Sequence, residues 1–218
     1  MTDDPRNNDT PTDWLGFWEA GDIGWHADEV HPALVEHAKG WNRVLVPLCG
    51  ATVDMAWLAE RDHEVVGVEL SELACRRVFD DWGKTPTIDT VTEADTTYER
   101  YQASDLTILR GDMLALAPSH AGTFDAVWDR GSLVALSPGQ RRPYLDALSR
   151  VAAGAQLLLV TFEYQLDAME GPPFSITPQL VRDSFDEVEP VHEDRDLTFP
   201  VEPEPLTVTR RWYRARIR

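Results

Sequence analysis

The chain has 218 residues, 43% of them apolar, with eight tryptophans and a formal net charge of −18. That length suits one well-buried domain, and no apolar run approaches the roughly 20 residues that span a bilayer. The acidic balance argues against nucleic acid or an anionic membrane as a partner, because both require a cationic face to neutralise phosphates. A soluble, intracellular protein is the expectation.

Residues 1–11 are polar and acidic, unlike a signal or transit peptide, and are expected to form a disordered tail before a single domain over 12–218. Trp14, Phe17, Trp18 and Trp25 then crowd into twelve residues interrupted by glycines. Taken alone, this segment favours a helix whose aromatic face plugs the core. The alternative is a flap over a flat or cationic ligand, since such rings offer apolar area and cation–π attraction. A short amphipathic helix is expected from His31 to Lys39, starting near Pro32.

Arg43–Pro47 is a nearly continuous apolar run, as expected of a strand covered on both faces. It stops at Leu48-Cys49-Gly50, and a helix follows from Asp54. Glu64–Glu69 is a second buried strand ending on an acid, and Ser71 caps a helix running to about Trp82. Residues 83–103 show no clear period and read as a long excursion. Further strands are expected at Asp105–Leu109, Thr123–Trp128 and Gln156–Phe162, the last being the most apolar and so expected at the centre. A helix from Pro138 to Ala153 carries Tyr144, Leu145, Leu148 and Val151 at helical spacing. Gly171-Pro-Pro-Phe174 marks a rigid loop, Thr177-Pro178 opens another helix, and Glu187–His192 with Leu206–Ile217 reads as a closing strand pair. Alternating strands and helices imply an α/β fold with a doubly wound, mostly parallel sheet.

In such sheets ligands bind at the carboxyl ends of the strands. Gly50 ends the first strand, and Glu69 lies nineteen residues on, at the tip of the second. An acid so placed accepts hydrogen bonds from ribose hydroxyls while the glycine turn lets a ligand approach the backbone. The two further glycines of a dinucleotide fingerprint are missing, which fits S-adenosylmethionine better than a pyrophosphate cofactor. Asp112 and Asp129-Arg130 follow the next two strands and share this rim, although a local ion pair would also account for Asp129 and Arg130. Cys49 and Cys75 provide neither a disulfide framework nor a metal-ligand pair. Cys49 reads as a small packing residue, and no metal is assigned.

Several runs together resemble a known family. They are Trp14-Leu-Gly-Phe-Trp18, Ile23-Gly-Trp25-His26, Val46-Pro-Leu-Cys-Gly50, Asp54-Met-Ala-Trp-Leu-Ala59, His63–Glu72, Trp128–Leu136 and Gly171–Phe174. Long and in order from about residue 14 to 185, they are similar to thiopurine S-methyltransferase and its bacterial relatives. The resemblance implies a seven-stranded, Rossmann-like methyltransferase sheet with an N-terminal aromatic helical flap and S-adenosyl-L-methionine as cofactor. By the same resemblance Trp18 and Leu48 line the cofactor pocket, Glu69 holds the ribose, and Asp112 and Met113 sit at the adenine. Arg130 lies near the methionine end and orients the acceptor, while Trp25 and Phe174 face the acceptor. Two departures stand out. Ala51 occupies a position where the family usually carries lysine. Pro200–Pro205 also breaks the family's approach to the last strand, leaving Arg195 an unsupported candidate for a second acceptor-side arginine. Arginines 210, 211, 214, 216 and 218 read instead as strand-face charges that offset the acidic body.

The implied reaction moves a methyl group from a sulfonium to a soft nucleophile, most simply the sulfur of a thiopurine or another aromatic thiol. It needs alignment and exclusion of water more than a base, so no catalytic base is assigned. Other soft acceptors (a small thiol, selenium or tellurium species, halide) and a non-catalytic nucleoside-binding module are the alternatives. A nicotinamide dehydrogenase is disfavoured by the missing glycines. Lysine occurs only at positions 39 and 84, and a surface so acidic and lysine-poor suits a salty cytoplasm, where self-repulsion is screened. Transfer from molar to low salt is therefore expected to lower the midpoint of thermal unfolding; an unchanged midpoint would contradict this.

Overall fold

The computed structural model describes residues 12–165, 168–201 and 204–218. The tail expected at 1–11 lies outside the described residues. In chain order the elements are α1 (Trp14–Ala20), α2 (Pro32–His37), β1 (Arg43–Pro47), α3 (Asp54–Ala59), β2 (Glu64–Glu69), α4 (Glu72–Trp82), β3 (Thr87–Glu93), β4 (Thr96–Ala103) and β5 (Leu106–Arg110). Then come α5 (Pro118–Ala121), β6 (Ala126–Arg130), α6 (Pro138–Ala152), β7 (Gln156–Glu163), α7 (Pro178–Ser184), β8 (Asp186–Phe199) and β9 (Leu206–Arg216). The sheet has nine strands in the order β3-β4-β5-β2-β1-β6-β7-β9-β8. β5, β2, β1, β6 and β7 run parallel. The order reverses beside β1, which places a crevice at the carboxyl ends of β1 and β6.

Local chemistry explains these elements. Val44–Val46 and Val65–Val68 are buried on both faces, as strands under helices on each side must be. Gly67 interrupts the valines because a Cβ there would stand 2.8 Å from both Cys49 Sγ and Met55 Sδ. Ser71 Oγ accepts the Ala74 amide at the start of α4, which satisfies one of the orphan donors of a helix start. One face of the sheet packs on α6 and α7 through Tyr144, Leu148, Val151 and Val181. The other packs on α1–α4 through Trp18, Leu34, Met55 and Phe79.

Three expectations are corrected. Residues 83–103 are not a structureless excursion, because β3 and β4 form an antiparallel hairpin that continues the sheet beyond β5. Only Tyr98 and Tyr101 are buried in it, so the apolar signal was too sparse to show a period. This hairpin raises the strand number from seven to nine. The apolar strand β7 is interior but not central; β1 holds the middle, and β7 is apolar because β6 and β9 flank it. The closing pair is longer than expected, with β8 reaching Phe199. A ladder of ion pairs runs along it: Arg210–Asp194, Arg211–Glu193, Arg214–Glu189, Arg216–Glu187 and, just past β9, Arg218–Asp186. The last strand thus spends its positive charge on its neighbour.

Candidate active site

The carboxyl ends of β1 and β2 are joined by one side chain. Glu69 is buried, its Oε2 accepting the Gly50 amide at 2.8 Å and its Oε1 the Ser71 amide at 2.8 Å. Burial pushes its carboxyl above the usual range, while the Ser71 and Gly50 amides pull it back. Each carboxylate oxygen keeps a second acceptor position, a pair suited to two vicinal hydroxyls. The turn that Glu69 holds contains Leu48 at φ 44° and Gly50 at φ 53°. Glycine adopts this conformation freely, whereas leucine is held in it. A Cβ at Gly50 would stand 3.4 Å from Trp18 Cζ2, so the Trp18 ring lies directly over the turn. Ala51 is buried in the same apolar cluster as Trp18 and Cys49. Both cysteines are buried and free, and burial pushes both thiols up.

Beyond β5, Asp112 is exposed and its Oδ1 accepts the Leu114 amide at 2.8 Å. The unexpected hairpin braces this rim: the Tyr98 hydroxyl donates to the Asp112 carbonyl at 2.7 Å. A Cβ at Gly111 would lie 2.5 Å from the Tyr98 ring. Met113 is buried in the core, so its backbone is what it can present to a ligand.

On the other side of β1, the Asp129–Arg130 ion pair does not form. Asp129 is fully buried and accepts the Ser132 and Leu133 amides at 3.1 Å and the Tyr144 hydroxyl at 2.8 Å. It shapes the turn after β6, which Ser132 Oγ ties to the Pro47 carbonyl at 2.6 Å. Arg130 turns instead toward Asp54, with Nη1 3.9 Å from Oδ2. The Gly171–Phe174 loop reaches the same turn, the Phe174 amide donating to the Val134 carbonyl. Arg195 lies on the edge strand, 74% exposed and paired with Glu193.

The aromatic segment is only partly the expected core plug. Trp18 is buried, but Trp25 is 45% exposed. Trp14, Phe17 and Trp18 each pack on Trp25, edge-on at 5.2, 5.8 and 6.3 Å. Trp18 covers the glycine turn, and Trp25 joins it to Trp14 and Phe17 in an aromatic flap. A cavity of about 170 Å³ bordered by His37, Trp41, Gln156 and Arg216 opens at the opposite end of the sheet, away from these residues.

Sequence reading missed Asp54 and His31. Asp54 is completely buried and accepts the His31 amide and the Trp128 indole N–H, each at 2.9 Å. His31 caps α2, its Nδ1 accepting the Ala33 amide at 3.2 Å. Burial, then the positive fields of Arg130 and Arg210, hold its imidazole down at about 3 against an ordinary value of 6.5. An acid opening an apolar helix, as in Asp54-Met-Ala-Trp-Leu-Ala59, was the available signal for Asp54. Between the two His31 values the unfolded chain binds a proton that the folded chain excludes, so stability falls as pH is lowered through that interval. Asparagine can cap without titrating. His31→Asn should therefore reduce the stability lost between about pH 7 and about pH 5 by on the order of 2 kcal/mol, measured by urea unfolding at both values.

The profile of the thiopurine S-methyltransferase family matches residues 9–210. A thiopurine S-methyltransferase from Pseudomonas paraeruginosa is 39% identical over 178 residues, covering 79% of this chain and 80% of the relative. One from Xanthomonas campestris pv. campestris is 41% identical over 169 residues, covering 75% and 76%. Among solved structures, the Burkholderia thailandensis 1,6-didemethyltoxoflavin N1-methyltransferase, crystallised with S-adenosylhomocysteine, superposes with a TM-score of 0.60 at 18% identity, covering 94% of this chain and 86% of that one. A methyltransferase dependent on S-adenosylmethionine from Anabaena variabilis gives 0.60 at 13% identity, covering 94% and 93%. Among the described residues no helix is long and apolar enough to cross a membrane. The chain belongs to the thiopurine S-methyltransferase family of S-adenosylmethionine-dependent methyltransferases.

Proposed function

We propose that this chain, one domain over 12–218 working as a cytoplasmic monomer, methylates the sulfur of a thiopurine or another aromatic or heterocyclic thiol. The observation that carries this reading is Arg130: at the rim beside the switch point, its guanidinium makes no hydrogen bond among the described residues, and Asp54 stands 3.9 Å away. A guanidinium with its five donors uncommitted at the end of β6 is a ready partner for an anionic acceptor. The name carried by the relatives supports an aromatic thiol.

S-adenosylmethionine supplies, when bound, a methyl group on a positively charged sulfur already activated for in-line displacement. The chain's residues do the rest. Glu69 offers its free acceptor positions to the ribose hydroxyls. Leu48 and Gly50 form the floor and Trp18 the cover, while Asp112 and the Met113 backbone border the adenine. Trp25 and Phe174 face a flat acceptor, and the aromatic flap suits a sulfonium through cation–π attraction. Arg130 favours the thiolate over the thiol electrostatically, so no base is needed. Holding the reactants in line and excluding water can contribute about 7–11 kcal/mol in good cases. The net charge of −18 supports a small molecule rather than nucleic acid as partner.

Labelled S-adenosylmethionine offered with 6-mercaptopurine, thiophenol, selenite, tellurite or iodide should methylate the two thiols; transfer to neither thiol would sink the reading. Arg130→Ala should lower kcat/KM for thiophenol by about tenfold or more, as removal of a charged hydrogen-bond donor does. Glu69→Gln leaves the Gly50 or the Ser71 amide facing an NH2 group, and calorimetry should show S-adenosylhomocysteine binding about tenfold or more weaker.

A further inference from the structure

Asp54 is a carboxylate with no solvent exposure at the first residue of α3. Burying an ionised carboxylate costs several kcal/mol unless it is paired and hydrogen-bonded. Its partners come from three places: the His31 amide at the end of the flap segment, the Trp128 indole on β6, and the Arg130 guanidinium two residues further along that strand. The distances differ in a telling way. The two neutral donors sit at 2.9 Å, one on each oxygen, while the guanidinium stays at 3.9 Å from the oxygen that Trp128 occupies. Arginine ordinarily closes on a carboxylate as a two-pronged fork. Here the indole N–H and the backbone amide hold the carboxylate off, so Arg130 is attracted without spending its donors.

We infer that Asp54 is the positioning residue for Arg130, a charged tether that aims the guanidinium at the acceptor while Trp128 prevents the two from locking together. This rests on the reading of Arg130 given above. The arrangement also fixes the flap, because the same carboxylate holds the His31 amide at the far end of the segment bearing Trp25. Arg130 and the flap thus share one anchor.

The test separates acceptor binding from cofactor binding in the full-length protein, with 4-nitrothiophenol as acceptor. Asp54→Asn keeps the side-chain shape and, with its oxygen on the His31 amide, keeps the hold on the flap segment; it removes the charge and turns its NH2 group to the Trp128 indole. It should raise the acceptor KM about tenfold, the scale of a lost charge-pair interaction, while S-adenosylhomocysteine affinity changes less than about twofold. In an Arg130→Ala background the same substitution should add almost nothing, since the partner it acts through is gone. Equal losses in acceptor KM, kcat and S-adenosylhomocysteine affinity, or a full further loss in the Arg130→Ala background, would show a general structural role and overturn the inference. If Arg130→Ala alone changes nothing, the reading of Arg130 fails first and the tether with it. If Asp54→Asn does not fold, Trp128→Phe decides the matter. It frees Oδ2, lets Arg130 close on Asp54 and should raise the acceptor KM; an unchanged KM would overturn the inference.

Discussion

The carboxylate of Glu69 is the joint on which the candidate site depends. It sits at the tip of β2 and takes one amide from the turn after β1 and one from its own turn. Without it, the Gly50 and Ser71 amides would lose the acceptor they share, and the turn that carries Leu48 and Gly50 would lose its side-chain brace. Hydrogen bonds to a charged group are worth about 1.5–3 kcal/mol each, enough for two of them to offset much of the cost of burying one carboxylate. The remaining burial penalty shows as the raised carboxyl.

The same solution recurs twice at this rim. Asp129 is buried with two amides and the Tyr144 hydroxyl, and Asp54 with an amide, an indole and a nearby guanidinium. All three acids end a strand or open a helix, where backbone amides lack partners within their own element. Each therefore satisfies donors that regular secondary structure cannot. Three acids of the rim turn inward while Asp112 stays exposed, and among the described residues the Arg130 guanidinium keeps its donors free.

Charge elsewhere is handled differently. The arginines of β9 face acids on β8 across the sheet edge, partly exposed pairs that each contribute little. A row of them blunts an edge strand against pairing with another chain. Arg195 belongs to this surface pattern, with Glu193 as its partner.

Much of the fold was legible in the chain. The valine runs of β1 and β2, the Ser71 cap and the Thr177-Pro178 start carry their own local physics, so periodicity and capping sufficed to find them. The spacing of Gly50 and Glu69 was likewise readable, because one crossover fixes how far apart two adjacent strand tips fall in sequence. The hairpin of β3 and β4 was not readable: its residues are mostly polar, and its two buried side chains, Tyr98 and Tyr101, pack on opposite faces of the sheet. Nor could spacing reveal that Asp129 turns inward to Tyr144 while Arg130 turns to Asp54, seventy-six residues upstream. Sequence by itself determined the order of the parallel strands and the residue types at the rim. Tertiary structure alone decided which acid meets which donor, because a buried carboxylate takes the partners that the packed fold brings within reach.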